Sequence, residues 1–302
     1  MGGAPSEKTI QWDERGFVLV AVVWILSALA TLASIYAVYA GNAAAAAHID
    51  DDRLRMRAAA KSALELTALT LTSSPDEARS PRGGFTFALM GSKTDVEYVT
   101  ESSRINLNAA PTELLTGLFL GLGASPELAA ACAEHVVAWR KSGFVDGKNP
   151  EADAYRSAGY PYAPRQAPFR DVLEIGLVRG LPADLAARAL PYLTIYSGRG
   201  EIDPRVVDDL TLGALPGATP DQVKAFLALR AAGTTDAAQL TRALGAASTY
   251  VSTSSNDIDR VIARVRLDDG REGRFEVVVK ISRDEPEPYR ILYWRDDVDD
   301  PF

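Results

Sequence analysis

From Phe17 to Ala40 the chain is an unbroken apolar run, FVLVAVVWILSALATLASIYAVYA, with no charged side chain. At about 1.5 Å per residue it reaches about 36 Å as a helix, enough for the hydrocarbon layer of a bilayer. Ser27, Thr31 and Ser34 within it can bond back to their own helix carbonyls. The run exceeds the apolar core of a secretory signal peptide, and polarity resumes only at Asn42. The pattern then turns amphipathic without a break. Asn42 to Thr72 contains neither Gly nor Pro, and Met56, Ala60, Leu64, Ala68 and Leu71 recur on one face, with Arg53, Arg57 and Lys61 on another. Ser73-Ser74-Pro75 predicts the stop. One helix therefore runs from a membrane-spanning half into a half that packs on something.

Alternation replaces this periodicity next. Phe85-Thr-Phe and Val96-Glu-Tyr-Val predict half-buried strands. Helical punctuation follows. Pro111 suits a first turn with Asn108 as its cap, and Ser125-Pro126-Glu127 opens a helix with a stripe of Leu128, Cys132, Val136 and Trp139, closed by Gly143. Thr219-Pro220-Asp221 opens another, closed by Gly233, and a third covers about 182–190. Ile105-Asn106-Leu107-Asn108 and Ile202-Asp203-Pro204-Arg205 begin similar blocks, which points to a diverged duplication. At the end, Val261–Leu267 and Arg274–Ile281 alternate around Asp268-Asp-Gly270, a hairpin, with a third strand at Arg290–Arg295. Asp296–Asp300 reads as a frayed tail.

Charge and composition narrow the function. A net charge of −8 over 302 residues lacks the basic footprint of a nucleic-acid binder. A single cysteine, Cys132, leaves no intrachain disulfide and reads as a small buried apolar group. Two histidines, His48 and His135, supply neither a triad nor a histidine metal cage. No nucleophile elbow or glycine-rich phosphate loop is present. His48 falls just past the span, and His135 borders an apolar helix stripe, so both read as structural.

Arg15-Gly16-Phe17 ahead of the apolar helix resembles the type IV prepilin signal. The resemblance implies cleavage between Gly16 and Phe17 by a prepilin peptidase and N-methylation of Phe17. Pilins carry Glu at the fifth mature position, where this chain has Ala21. A carboxylate in lipid persists only when paired, so alanine fits a subunit with no neighbour above it. Further along, Arg104-Ile-Asn-Leu-Asn-Ala-Ala, Val137-Ala-Trp-Arg140, Tyr160-Pro-Tyr-Ala-Pro164, Ala167-Pro-Phe169, Leu173–Gly180 and Leu190–Gly198 resemble the K minor pseudopilin family of type II secretion.

This resemblance implies an α+β fold: a pilin-like N-terminal helix packed on a small antiparallel sheet, with a large inserted all-α domain. The expected divisions are a leader at 1–16, the membrane half of the helix at 17–41 and its periplasmic half at 42–74. The sheet is expected at 75–100 and 248–302, with the helical insertion at 101–247. The implied protein is no enzyme but a single-pass inner-membrane subunit with its C-terminal domain in the periplasm. It would sit at the pseudopilus tip with the I and J minor pseudopilins, above the major pseudopilin. Exported proteins and the outer-membrane secretin are further expected contacts, and nucleic acid is not. A minor pilin of a DNA-uptake or adhesion fibre is the rival reading. The resemblance also implies an acidic loop of the kind that can hold calcium in relatives, although Arg140 is followed here by Lys141 rather than Asp. Here the loop Gly143–Pro168 keeps Asp146, Glu151 and Asp153 as the candidate ligands. Leu215-Pro-Gly-Ala-Thr219 resembles half of a DNA-binding helix-hairpin-helix turn without its second glycine, and is expected to be structural.

Overall fold

The computed structural model describes residues 14–73, 79–141, 149–234, 236–254, 256–283 and 285–297, with side chains omitted at 14–17, 42–50 and 297. The chain divides into two compact units, residues 1–55 and 56–302. The long helix α1 (Glu14–Ser73) supplies most of the first and the opening segment of the second. In the first unit, the α1 side chains from Val18 to Gly41 are almost all exposed.

The second unit contains a five-stranded sheet of β1 (Arg82–Leu89), β2 (Ser92–Thr100), β5 (Ile258–Leu267), β6 (Glu272–Ile281) and β7 (Tyr289–Asp297), in that spatial order. Every neighbouring pair is antiparallel. The sheet is thus a meander, and the stretch between β2 and β5 is an insertion into one of its turns.

One sheet face and the stem segment of α1 form a dry core. Met56, Ala59, Ala60, Ala63, Leu64, Ala68 and Leu71 are buried against Val96, Tyr98, Val261, Ala263, Val265, Phe275, Val277, Val279 and Ile281. The stripe legible at i, i+4 spacing is the buried one, while Arg57 and Lys61 stay exposed. Small residues on the helix let the sheet approach closely. A Cβ on Gly273 would meet the Met56 sulfur at 2.8 Å, so glycine there is the fit for methionine. The direction of packing is fixed at both ends. Arg57 pairs with Asp296 at 2.6 Å near the start of the segment. At its end Arg283 donates to the Leu71 carbonyl at 3.1 Å. β6 therefore runs alongside the stem from the Met56 end to the Leu71 end.

The insertion carries β3 (Ile105–Asn106), α2 (Thr112–Gly121), α3 (Pro126–Arg140), α4 (Pro150–Ser157), α5 (Ala183–Ala189), β4 (Leu193–Thr194), α6 (Asp209–Gly213), α7 (Pro220–Ala231) and α8 (Ala237–Ala243). It has its own core, centred on Leu114, Leu118, Phe119, Cys132, Val136, Trp139, Tyr155 and Phe226. Ser125 caps α3 by accepting from Leu128 N at 3.2 Å. Thr219 and Gln222 form a reciprocal capping box at the head of α7. Two expectations shift. Pro111 itself is the cap of α2, and Asn108 instead clasps the Phe169 backbone, donating to its carbonyl at 3.0 Å and accepting from its N–H at 2.7 Å. The segment read as an irregular acidic loop contains α4, opened by Asn149, which accepts from Ala152 N at 3.0 Å. The helix expected to close at Gly143 ends at Arg140, and Gly143 lies outside the described residues.

Candidate functional site

Among the described residues no catalytic constellation is assembled. The molecule's functional features are an apolar helix, a helical insertion and the polar joint between insertion and sheet.

The apolar helix is the N-terminal part of α1. Val18–Gly41 has a mean hydropathy of 2.5, and this is a helix long and apolar enough to cross a membrane. Trp24, Tyr36 and Tyr39 are each at least 70% exposed, a cost that only lipid or a partner helix removes. Thr31 and Ser34 donate to the carbonyls of Ser27 and Ala30 at 2.8 and 2.9 Å, so their hydroxyls make no demand on the surroundings. Ala21 lies on this helix, half-buried. Gly16 and Phe17 fall within the helical backbone of α1, and the side chains of Phe17 and His48 lie outside the described residues.

The helical insertion contains a pair of matching turns. Gly123-Ala124-Ser125-Pro126-Glu127 links α2 to α3, and Gly217-Ala218-Thr219-Pro220-Asp221 links α6 to α7. Gly123 and Gly217 have φ of 88° and 77°, a region open to glycine and costly to other residues. The blocks also begin alike. Asn106 accepts from Asn108 N at 2.8 Å and Asp203 from Arg205 N at 3.0 Å. Each start pairs in parallel with its own block's end, Ile105 with Leu193 and Ile202 with Val251. The proposed duplication thus has a three-dimensional counterpart. Both turns place a carboxylate in the first helical turn, where it competes with any phosphate for the helix N-terminus. This supports structural use of Leu215–Thr219.

The joint is a buried ion network that sequence spacing could not announce. Arg260 on β5 donates to Glu101, just after β2, through Nε at 3.1 Å, and also pairs with Glu276 on β6. Glu101 in turn accepts from the Thr194 hydroxyl on β4 at 2.5 Å. All four residues are buried. Nearby, Asn256 bridges the Ser102 hydroxyl at 2.7 Å and the Ser197 carbonyl at 3.2 Å. Arg79 pairs with Asp259, whose carboxyl burial pushes up to about 7 against the pull of that arginine. Apolar packing alone slides; these directional contacts fix how the insertion sits on the sheet.

The remaining candidates scatter. Cys132 is buried, and burial raises its thiol above the ordinary value, which leaves it inert. Glu151 and Asp153 lie on α4 and already pair with Arg179 at 3.3 Å and Arg156 at 2.8 Å. As placed they do not fit a calcium site, because each faces a cation. The third member, Asp146, lies outside the described residues. Among the described residues no three His, Cys, Asp or Glu side chains gather as a metal set. His135 meets Arg179 across the helical core.

Comparison with known proteins agrees with this anatomy. Residues 93–198 match the family model for the type II secretion system (T2SS), protein K. No curated protein matches the chain. Among solved structures, a chain of the GspK–GspI–GspJ complex from the enterotoxigenic Escherichia coli type 2 secretion system superposes with a TM-score of 0.58 at 18% identity. The alignment covers 80% of this chain and 95% of that one. At that identity the likeness speaks for the fold, an α+β pilin-like frame with an inserted helical domain, while the family model speaks for the sequence of β2 and the first part of the insertion. Residues 93–198 are thus similar in sequence to protein K of the type II secretion system, and the chain resembles in fold a chain of the GspK–GspI–GspJ complex.

Proposed function

We propose that this chain caps the tip of the type II secretion pseudopilus and nucleates its assembly. It would do so in contact with I- and J-type minor pseudopilins, the partners present in the related GspK–GspI–GspJ complex. The observation that carries the reading is where the insertion leaves the sheet. Thr100 ends β2 and Ile258 begins β5 at the Leu71 end of the stem segment, the end marked by the contact of Arg283 with the Leu71 carbonyl. The whole helical domain therefore stands at one end of the stem, where the next subunit of a stem-packed fibre would have to sit. Ala21 supports the same position, because a subunit with no neighbour above it has no amine for a stem carboxylate to pair with.

In this reading the Val18–Gly41 helix anchors the chain once in the inner membrane, with the sheet and insertion on the periplasmic side. It then joins the packed stems of the fibre. Cleavage between Gly16 and Phe17 and methylation of Phe17 precede assembly. The role is assembly and contact rather than catalysis, and contact with the outer-membrane secretin and cargo falls to the exposed helical domain.

The test labels one engineered surface site on the full-length protein in fibre-producing cells and images isolated fibres. One label at one end is expected, and labels spaced along the shaft would remove the tip role. Intact mass of the membrane-extracted chain tests the processing step separately. Loss of residues 1–16 with one added methyl group is expected.

A further inference from the structure

Arg104 stands where the sheet hands over to the helical domain. It follows Glu101–Ser103, the short turn after β2, and precedes β3. Its backbone is extended, with φ of −125° and ψ of 152°, and its N–H donates to the Glu101 carbonyl at 3.3 Å. The side chain is half-buried. It lies within reach of the charges of Arg260, Glu101, Glu276 and Arg274.

The register of β6 places these groups. Phe275, Val277 and Val279 face the stem, so Arg274, Glu276 and Val278 face the other way. On that outward face Glu276 has Ile262 and Arg295 on either side, and Val278 has Arg260 and Tyr293. Tyr196 from the helical domain packs on Tyr293 with 6.2 Å between ring centres. The two rings wall this end of the face, where an ion pair is worth more than in open water.

The carboxylates here are already taken. Glu101 accepts from Arg260 through both oxygens and from the Thr194 hydroxyl. Glu276 accepts from Arg260 through one oxygen, and its other oxygen faces Arg295 at 3.4 Å and Arg274 at 3.9 Å. Among the described residues Arg104 makes no side-chain hydrogen bond or ion pair. The neighbouring charges cancel, Arg260 and Arg274 against Glu101 and Glu276, so its own charge is uncompensated. Burial first, and Arg260 second, hold the guanidinium below its ordinary 12.5, against the opposing pull of Glu101 and Glu276.

We propose that Arg104 anchors an oxyanion-binding site at the joint, which takes one carboxylate or phosphate group. A guanidinium only donates, and its planar fork matches two oxygens of such a group. Glu101 and Glu276 stand beside the arginines and repel a continuous polyanion, so the site suits a single small group. The group is either an acidic side chain of a partner protein or a free anion, and the same fork holds both. Bound there, it neutralises the one uncompensated charge at the entry to the helical domain. This goes beyond the tip assignment and does not depend on it.

The test is phosphorus-31 NMR of inorganic phosphate with the full-length protein in maltoside micelles, ionic strength being held with chloride. The phosphate line should broaden with the native chain. In Arg104→Gln the affinity should fall about tenfold, the contribution of one charge-assisted pair. Lys93→Gln removes an exposed cation at the other end of the sheet and should leave the broadening intact. No broadening with the native chain, equal broadening in Arg104→Gln, or equal loss in Lys93→Gln overturns the site. Thermal unfolding in chloride alone checks the variant itself. Arg104→Gln removes an uncompensated charge, so it should melt no lower than the native chain. A clearly lower midpoint would show that Arg104 already holds the fold together, and would equally overturn the site. Purified I- and J-type pseudopilins then tell the two sources apart. Release of bound phosphate on adding them assigns the site to a partner's carboxylate, and retention assigns it to the free anion.

Discussion

Arg260 is shared by two carboxylates from different parts of the chain, Glu101 at the start of the insertion and Glu276 on β6. Burial of Glu101 would be unfavourable without it, so its removal strands that carboxylate and leaves Glu276 to Arg295 at 3.4 Å. Arg260→Met should therefore destabilise the molecule by about 3–5 kcal/mol, the usual cost of stranding a buried partner. Chemical unfolding of the detergent-solubilised protein measures it, and a loss below about 1 kcal/mol would mean that water already reaches the joint. Glu276 adds a pH dependence. Burial alone would raise its carboxyl, but Arg260, Arg104 and Arg295 outweigh that and hold it below its ordinary 4.5. The unfolded chain then protonates first, so the contribution is complete above pH 4.5 and disappears as the pH falls through the lower folded value. Midpoints of unfolding between about pH 6 and about pH 3 should drop less in Glu276→Gln than in the native protein.

At the level of elements, Gly117 shows what holds the two blocks of the insertion together. A Cβ at this position on α2 would run into the Ala214 carbonyl oxygen just after α6, a backbone atom that cannot swing aside. Gly117→Ala should cost about 1–3 kcal/mol by overpacking. Gly213→Ala, at the end of α6 and one residue before Ala214 but with open space at its Cβ, should be neutral or slightly stabilising. Thermal unfolding of the pair separates close approach from any general intolerance of alanine. The contrast also shows what the sequence could convey. The stem stripe, the Asp268–Gly270 hairpin and the caps at Ser125 and Thr219 are local patterns, and each appears where its periodicity or cap chemistry puts it. The start of α4 carries the same kind of signal, Asn149-Pro150-Glu151, but its acidic residues suit a cation loop as well as a first helical turn. What no local pattern carries is long-range pairing. Glu101 and Arg260 are 159 positions apart, Arg179 and His135 are 44 apart, and Asn108 serves Phe169 rather than the neighbouring helix. These contacts exist only once distant parts of the chain have folded together.

At the scale of the whole molecule, the insertion enters and leaves through neighbouring antiparallel strands, with Thr100 directly opposite Asp259. The stretch from Glu101 to Ile258 can therefore be exchanged for an Asn-Gly hairpin turn without moving either strand. The trimmed chain keeps the stem segment and all five strands, so it should fold, with circular dichroism showing a higher proportion of strand. It loses Glu101, which leaves Arg260 paired with Glu276 alone, and some stability should go with it. The decisive readout is placement. If bulk at the Leu71 end is what confines the native subunit to the fibre tip, labelled trimmed subunits should appear along the shaft in cells that also make the major pseudopilin. If they remain at one end, size is not the cause, and the alanine at position 21 becomes the feature that bars this stem from the interior. The double change, trimming together with Ala21→Glu, then distinguishes the two, because restoring the stem carboxylate should admit the slim subunit to the shaft only if the missing charge was the barrier.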